Sequence, residues 1–282
     1  MQSSPIIKKG WLRALLFILV YMFLLILGNG GLGFVYGLLE MTYTTTVTFY
    51  GFILLNFLIS FFTVWLFRKV FDKQSFKSLG LIWNGFGKER TAGVVTGILL
   101  LTVMATVLWL MKLLEWFVAD INVAEFALTI IILVSVSFSE EVVFRGYILN
   151  NLMQSTSVLP ALSISALLFA GFHSLNSHMS LIAFINIFIA GVLLGVNYIY
   201  TRNLWFAIFF HFTWNFVQGP VLGFEVSGLS LPSLLEQNLK GSVLLTGGAF
   251  GLEASWLTTF ATSLMAIVLF FLFQRKYNSS VE

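Results

Sequence analysis

Cysteine is absent from the 282 residues, which excludes disulfides, iron–sulfur clusters, thiolate nucleophiles and cysteine zinc sites. Any metal must be held by His, Asp or Glu, and His occurs only three times. Charge is scarce as well: 10% of the residues are Asp, Glu, Lys or Arg and 59% are hydrophobic, whereas a soluble domain carries about 25% charged residues. A water-soluble fold is excluded. The net charge of +3 is spread thinly over the segments between apolar runs and is read as membrane orientation; no nucleic-acid surface is expected. Alternating strand patterns, internal repeats and low-complexity segments are missing, which argues against a transmembrane barrel.

What the chain does contain is long uncharged stretches. Between Arg13 and Glu40 lie 26 residues without formal charge, between Glu40 and Arg68 another 27, and between Arg90 and Lys112 another 21. Each can cross a bilayer of about 30 Å as a helix. The first is too long for a signal-peptide core and is followed by further spans, so it is read as a retained helix that Gly28-Asn29-Gly30-Gly31 loosens or ends early. The 56 uncharged residues between Arg145 and Arg202 divide at Pro160 and at the polar run Ser174 to Ser180. The expected architecture is an all-α, polytopic transmembrane helical bundle of about eight spans, near 12–37, 47–67, 91–111, 127–150, 158–174, 180–200, 204–220 and 255–273. Gly93 with Gly97, and Gly191 with Gly195, form Gly-x-x-x-Gly pairs expected to allow close packing within the bundle.

With the N-terminus inside, twelve Lys and Arg fall on the cytoplasmic side and two, Lys112 and Lys240, outside. Both termini are then cytoplasmic and the chain is an integral, multi-pass protein of the cell (cytoplasmic) membrane. The stretch from Arg68 to Arg90 mixes bases with Phe71, Phe76, Leu79, Leu81, Trp83 and Phe86, and reads equally as an interfacial segment or as an ordinary basic loop.

The fourth span places Glu140, Glu141 and Arg145 near the middle of an apolar helix, where each ionised group costs at least a few kcal/mol. Either they form a functional site or they are a buried ion pair that locks helices together. Glu141 and Arg145 are related by i,i+4 and share a face, while Glu140 points about 100° away. Glu141 and Arg145 are therefore expected to pair, leaving Glu140 as a carboxylate free for acid–base work. His173 closes the fifth span and His211 sits in the seventh, with Asn215 one turn on. At 1.5 Å per residue, Glu140 lies about 20 Å below the outer end of its span, His173 about 22 Å above the inner end of the fifth and His211 about 10 Å above that of the seventh. All three are expected to meet in one water-containing cavity, lined also by Asn215, that opens to the cytoplasmic side or laterally to lipid. A carboxylate and two imidazoles can activate water directly, or as a His173, His211, Glu140 ligand set for Zn2+. Asn215 can donate to a developing oxyanion. No Gly-x-Ser-x-Gly turn or His-Glu-x-x-His helix is present. His178 is placed in a solvated loop without a role.

Glu140-Glu141-Val142-Val143-Phe144-Arg145, Phe169-x-x-x-His173 and His211-x-x-x-Asn215 occur in that order inside hydrophobic helices. The pattern resembles the CPBP family of membrane proteins, the CAAX prenyl endopeptidase and bacteriocin-processing or immunity (Abi) group. The run Leu245 to Ser255, LTGGAFGLEAS, is similar to a glycine-rich stretch of bacterial members. The resemblance implies an eight-helix intramembrane endopeptidase, often labelled a metalloprotease, acting on a membrane-associated or lipidated peptide or protein. It implies that Glu140 and His173 activate water, that His211 and Asn215 bind the oxyanion or His211 joins a metal's ligands, and that Glu141 and Arg145 support the site. The implied organisation is N-terminal membrane helices with a basic loop over 1–124, a catalytic core over 125–220, and an outer loop with the last helix over 221–282. Membrane lipids and the substrate are the expected partners. The competing readings are a non-proteolytic immunity or scaffold protein and an ion transporter, the latter disfavoured by the lack of a two-half repeat.

Overall fold

Long apolar runs dictate helices, because a backbone removed from water must satisfy its hydrogen bonds internally. The computed structural model describes residues 4–42 and 46–278. Its eight main helices are α1 (Gly10–Leu38), α2 (Thr46–Val70), α3 (Gly87–Leu110), α4 (Val123–Leu152), α5 (Val158–His173), α6 (Leu181–Thr201), α7 (Trp205–Phe216) and α8 (Trp256–Asn278). Six of these, α1 to α4, α6 and α8, are long and apolar enough to cross a membrane. With 16 residues α5 ends one residue before the span expected for it, and a π-helical extension, Val217–Val221, carries the 12 residues of α7 to the expected end. The large side chains left exposed on the outer surfaces, such as Phe23, Ile26, Phe260 and Phe271, are apolar, as a lipid-facing bundle requires.

Capping residues fix where several helices begin and end. Asn122 caps α4 by accepting from the backbone N–H of Ala124 and Glu125, and Ser180 caps α6 by accepting from Ala183. The expectation that Gly28 to Gly31 breaks the first helix is overturned, since α1 runs through them to Leu38. Asn29 Nδ2 donates to the Leu25 carbonyl at 2.8 Å and to Asn56 Oδ1 at 2.7 Å, and so bonds within the helix and across to α2.

The bundle has two distinct ends. At one end Arg13 and Arg68 both bind Asp72, at 2.6 and 2.7 Å, Arg13 reaches Gln154 at 2.5 Å, and Lys276 reaches Glu89 at 2.8 Å. This basic end gathers the start of α1, the end of α2 and α4, the start of α3 and the end of α8. The first residues of α1 and the last of α8 therefore lie on the same side, while residues 1–3 and 279–282, the extreme termini, lie outside the described residues. The 71–86 connection docks on the protein here: Leu79 is fully buried, Tyr198 donates to its carbonyl at 3.0 Å, and Asn203 donates to the Ile82 carbonyl at 2.8 Å.

At the other end two strands not expected from the sequence, β1 (Leu114–Val118) and β2 (Leu235–Leu239), pair antiparallel, with Leu114 opposite Leu239. Five-residue strands are too short to show a period against long apolar helices. Trp116 Nε1 donates to the Leu222 carbonyl at 2.9 Å and anchors the sheet to the extension of α7.

Small residues bring the site-bearing helices together. A Cβ on Gly93 would meet the Phe206 carbonyl and, at 3.0 Å, the Phe210 nitrogen, so α3 lies backbone to backbone against α7. On α6, a Cβ at Gly191 would fall 2.9 Å from Ala166, which sets the approach of α5. Both glycine pairs thus pack within the bundle. Gly93→Ala is expected to push α3 off α7 and cost about 1–3 kcal/mol, an overpacking penalty, read as a lower melting temperature in detergent. An unchanged melting temperature would contradict this packing.

Candidate active site

The charged centre of the site sits where α4 changes its winding. Regular α-helix ends at Glu141 and a π-helical segment, Val142–Leu149, follows with every residue buried. Such wide turns are rare and recur at functional sites. Glu141 and Arg145 are 0% and 1% exposed, and Arg145 Nη1 donates to Glu141 Oε1 at 2.9 Å. Arg145 Nη2 donates to the Gly191 carbonyl at 3.0 Å, and its guanidinium lies 4.3 Å from the centre of the Phe169 ring. The face argument holds: Glu141, not Glu140, binds the arginine.

Glu141 has a second partner that the sequence did not reveal. His211 Nδ1 lies 2.9 Å from the same Oε1. With Arg145 and His211 both donating to it, this carboxylate ties α4 to α7 and aims the imidazole. His173 is aimed by its own helix, because Nδ1 lies 2.8 Å from the Phe169 carbonyl. A carbonyl only accepts, so Nδ1 carries the proton, and in the neutral ring Nε2 presents a lone pair. The Phe-x-x-x-His spacing therefore supplies ring orientation one helical turn earlier.

The two Nε2 atoms converge on Glu140. Its Oε2 lies 3.8 Å from His173 Nε2 and 3.9 Å from His211 Nε2. That oxygen is buried and accepts no hydrogen bond from the protein. Gaps of this size between polar atoms suit a bridging water better than a direct bond. Asn215 lines the same cavity of about 350 Å3, with Tyr21, Asn56 and Ser60 on the opposite wall. Glu140, His173, His211 and Asn215 thus meet as expected. His178 stands exposed in the 174–180 connection, apart from them.

Two expectations need correction or restriction. The cavity runs from Glu140 toward the sheet end, past Phe49 on α2, Ile132 on α4 and Leu231, and no lining residue belongs to the basic end. An opening toward the Lys- and Arg-rich side is therefore not found. As for zinc, no group of three His, Asp or Glu among the described residues is gathered to hold a metal ion. Glu140, His173 and His211 do not fit a ligand set as they stand.

Sequence reasoning also missed one wall. Ser227 and Glu253, from the segment between α7 and α8, line a second cavity behind the histidines. Burial holds the Glu253 carboxyl above the usual carboxylate range, against hydrogen bonds from Ser227 and Gln218 that pull it down. The only signal in the sequence was the glycine-rich run.

Residues 122–217 match the family model for type II CAAX prenyl endopeptidase Rce1-like proteins. The chain carries a CPBP-family domain. The match begins at the Asn122 cap of α4 and ends just after α7, so it takes in both glutamates, Arg145, His173, His211 and Asn215. No curated protein and no solved structure gives a match. In this CPBP domain the three motifs come from α4, α5 and α7, none of which could build the site alone.

Proposed function

We propose that the chain is an intramembrane endopeptidase that hydrolyses a peptide bond of a membrane-associated or lipidated peptide or protein with water activated by Glu140. The observation that carries this reading is the buried Glu140 Oε2, unsatisfied by the protein and flanked at 3.8 and 3.9 Å by imidazole nitrogens from two other helices. The CPBP match supports the reaction class.

In this reading a water between Glu140 and His173 gives its proton to the Glu140 carboxylate while its oxygen bonds to the scissile carbonyl carbon. The carbonyl oxygen becomes an oxyanion, which accepts from the Asn215 amide and from His211 Nε2. Since His211 Nδ1 already donates to Glu141, His211 can donate through Nε2 only as the imidazolium, and the Glu141 carboxylate is the counter-charge that favours it. Collapse breaks the C–N bond, and the proton held by Glu140 passes to the leaving amine. No step runs through a metal.

The test is mass-spectrometric cleavage profiling of the purified chain on prenylated and unprenylated peptide libraries, alongside Glu140→Gln and with a chelator present. New termini that vanish in Glu140→Gln support the reading. Chelator-sensitive cleavage would restore zinc to it. A chain that binds peptides without cleaving any would overturn it in favour of the non-proteolytic immunity or scaffold reading.

A further inference from the structure

The run Leu245 to Ser255 has no part in the chemistry above, yet its backbone is tightly specified. Gly247, Gly248 and Gly251 have φ of +84°, +56° and +100°. A Cβ at Gly251 would collide with the Glu225 carbonyl and come within 2.8 Å of Gln218 Nε2, so only glycine permits this approach. The path carries Glu253 into the protein, where it is 8% exposed. Asn186 of α6 holds the segment by donating to the carbonyls of Glu253 and Ser255 at 2.7 and 2.8 Å.

Three donors then converge on the Glu253 side chain. Oε2 accepts from Gln218 Nε2 at 2.7 Å and from the Ser227 N–H at 2.9 Å, and Oε1 accepts from Ser227 Oγ at 3.0 Å. Ser227 is itself left-handed, with φ of +50°, and its carbonyl accepts from Asn176 at 3.1 Å. It belongs to the Val226–Leu229 turn, closed by a strand-like bridge between those two residues. Ser227 lines the reaction cavity and also a smaller one of about 50 Å3, and His173, His211 and Asn215 line both. A buried carboxylate is costly unless hydrogen-bonded, and here every bond it makes serves one turn and its neighbour Gln218.

We propose that Glu253 is a positioning residue: through Ser227 it fixes the Val226–Leu229 turn as the wall against which the substrate peptide is held beside Glu140, His173 and His211. The assignment rests on the endopeptidase reading for its substrate, but the clamp itself does not. Misplacing such a wall by about 1 Å is enough to cost on the order of 100-fold in kcat/KM.

The absence of native cysteine allows a direct test. Leu229, 40% exposed and lining the reaction cavity, is replaced by cysteine in the full chain, and maleimide labelling, melting temperature and peptide kinetics are followed with Glu253, Glu253→Gln and Glu253→Ala. Glu253→Ala is expected to speed labelling by about tenfold, as the turn opens more often. It is expected to lower kcat/KM by about 10- to 100-fold, mainly through KM. Glu253→Gln is expected to restore both, because its amide oxygen accepts the two Oε2 bonds and the Ser227 hydroxyl can turn to accept from the amide N–H. Ser227→Ala, which removes one bond of the three, should fall between and serves if Glu253→Ala does not fold. Unchanged labelling and KM in Glu253→Ala and Ser227→Ala would overturn the proposal. So would a Glu253→Gln protein that loses kcat as Glu253→Ala does with KM unchanged, since that outcome assigns Glu253 to the chemistry. If the Glu253 protein cleaves nothing while labelling still responds, the clamp stands and the endopeptidase reading fails.

Discussion

Glu140→Gln is expected to yield a chain that folds and inserts as the parent does but turns over substrate about 10²- to 10⁴-fold more slowly, the loss typical of removing a general base. Folding should survive because this side chain carries little of the structure: it is 26% exposed, it is not the partner of Arg145, and its Oε2 accepts no hydrogen bond. Activity should not survive, because an amide cannot take the proton of a water poised between Oε2 and the two imidazoles. Initial cleavage rates beside melting temperatures check both halves. Retention of a tenth or more of the parental rate, or a large fall in melting temperature, would sink the assignment.

Glu141→Ala should act in the opposite sense, on stability first. It leaves the Arg145 guanidinium, 1% exposed, with the Gly191 carbonyl and the Phe169 ring but no carboxylate bonded to it. Breaking a buried pair by removing one partner costs about 3–5 kcal/mol. The same substitution frees His211, whose Nδ1 loses its acceptor. Glu141→Ala is therefore expected to melt well below the parent and to be inactive even where folded, a broader effect than the stability loss the i,i+4 spacing alone implies. Pairing Glu141→Gln with Arg145→Met separates the two roles. With no orphaned charge in the core, most of the stability should return, while the rate stays low because a neutral amide replaces the carboxylate bonded to His211 Nδ1. A Glu141→Ala chain that melts with the parent would contradict the ion pair. A double variant with the full parental rate would contradict the role given to Glu141 at His211.

These contrasts trace what the sequence could and could not express. The pairing of Glu141 with Arg145 was legible because it depends on an i,i+4 spacing within one helix. The meeting of Glu140, His173 and His211 was legible because helix rise converts position into depth. The bond from Glu141 to His211 spans 70 positions and two helices, and no local periodicity encodes it. Gly28 to Gly31 were misread because glycine costs a helix far less where neighbouring helices and lipid leave the backbone no water to turn to. The Glu253 clamp escaped because its donors Gln218 and Ser227 stand 35 and 26 positions away, and the left-handed conformation of Ser227 follows from contacts made after folding. The opening of the cavity was inferred from the depth of the three groups along their helices, which reports how deep they lie and not where side chains leave space.

The π-helical winding of Val142–Leu149 bears on how this chain tolerates change. Each residue of an ordinary helix advances the next by about 100°, so inserting or deleting one residue in this stretch would swing Arg145 away from Glu141, or turn the helix beyond it out of phase with the carboxylates before it. The wide turns therefore act as a phase coupling between two half-helices, one carrying the carboxylates and the other the anchoring contacts. A substitution here acts at its own buried position and leaves the phase intact, whereas a single-residue length change would uncouple the halves at a stroke.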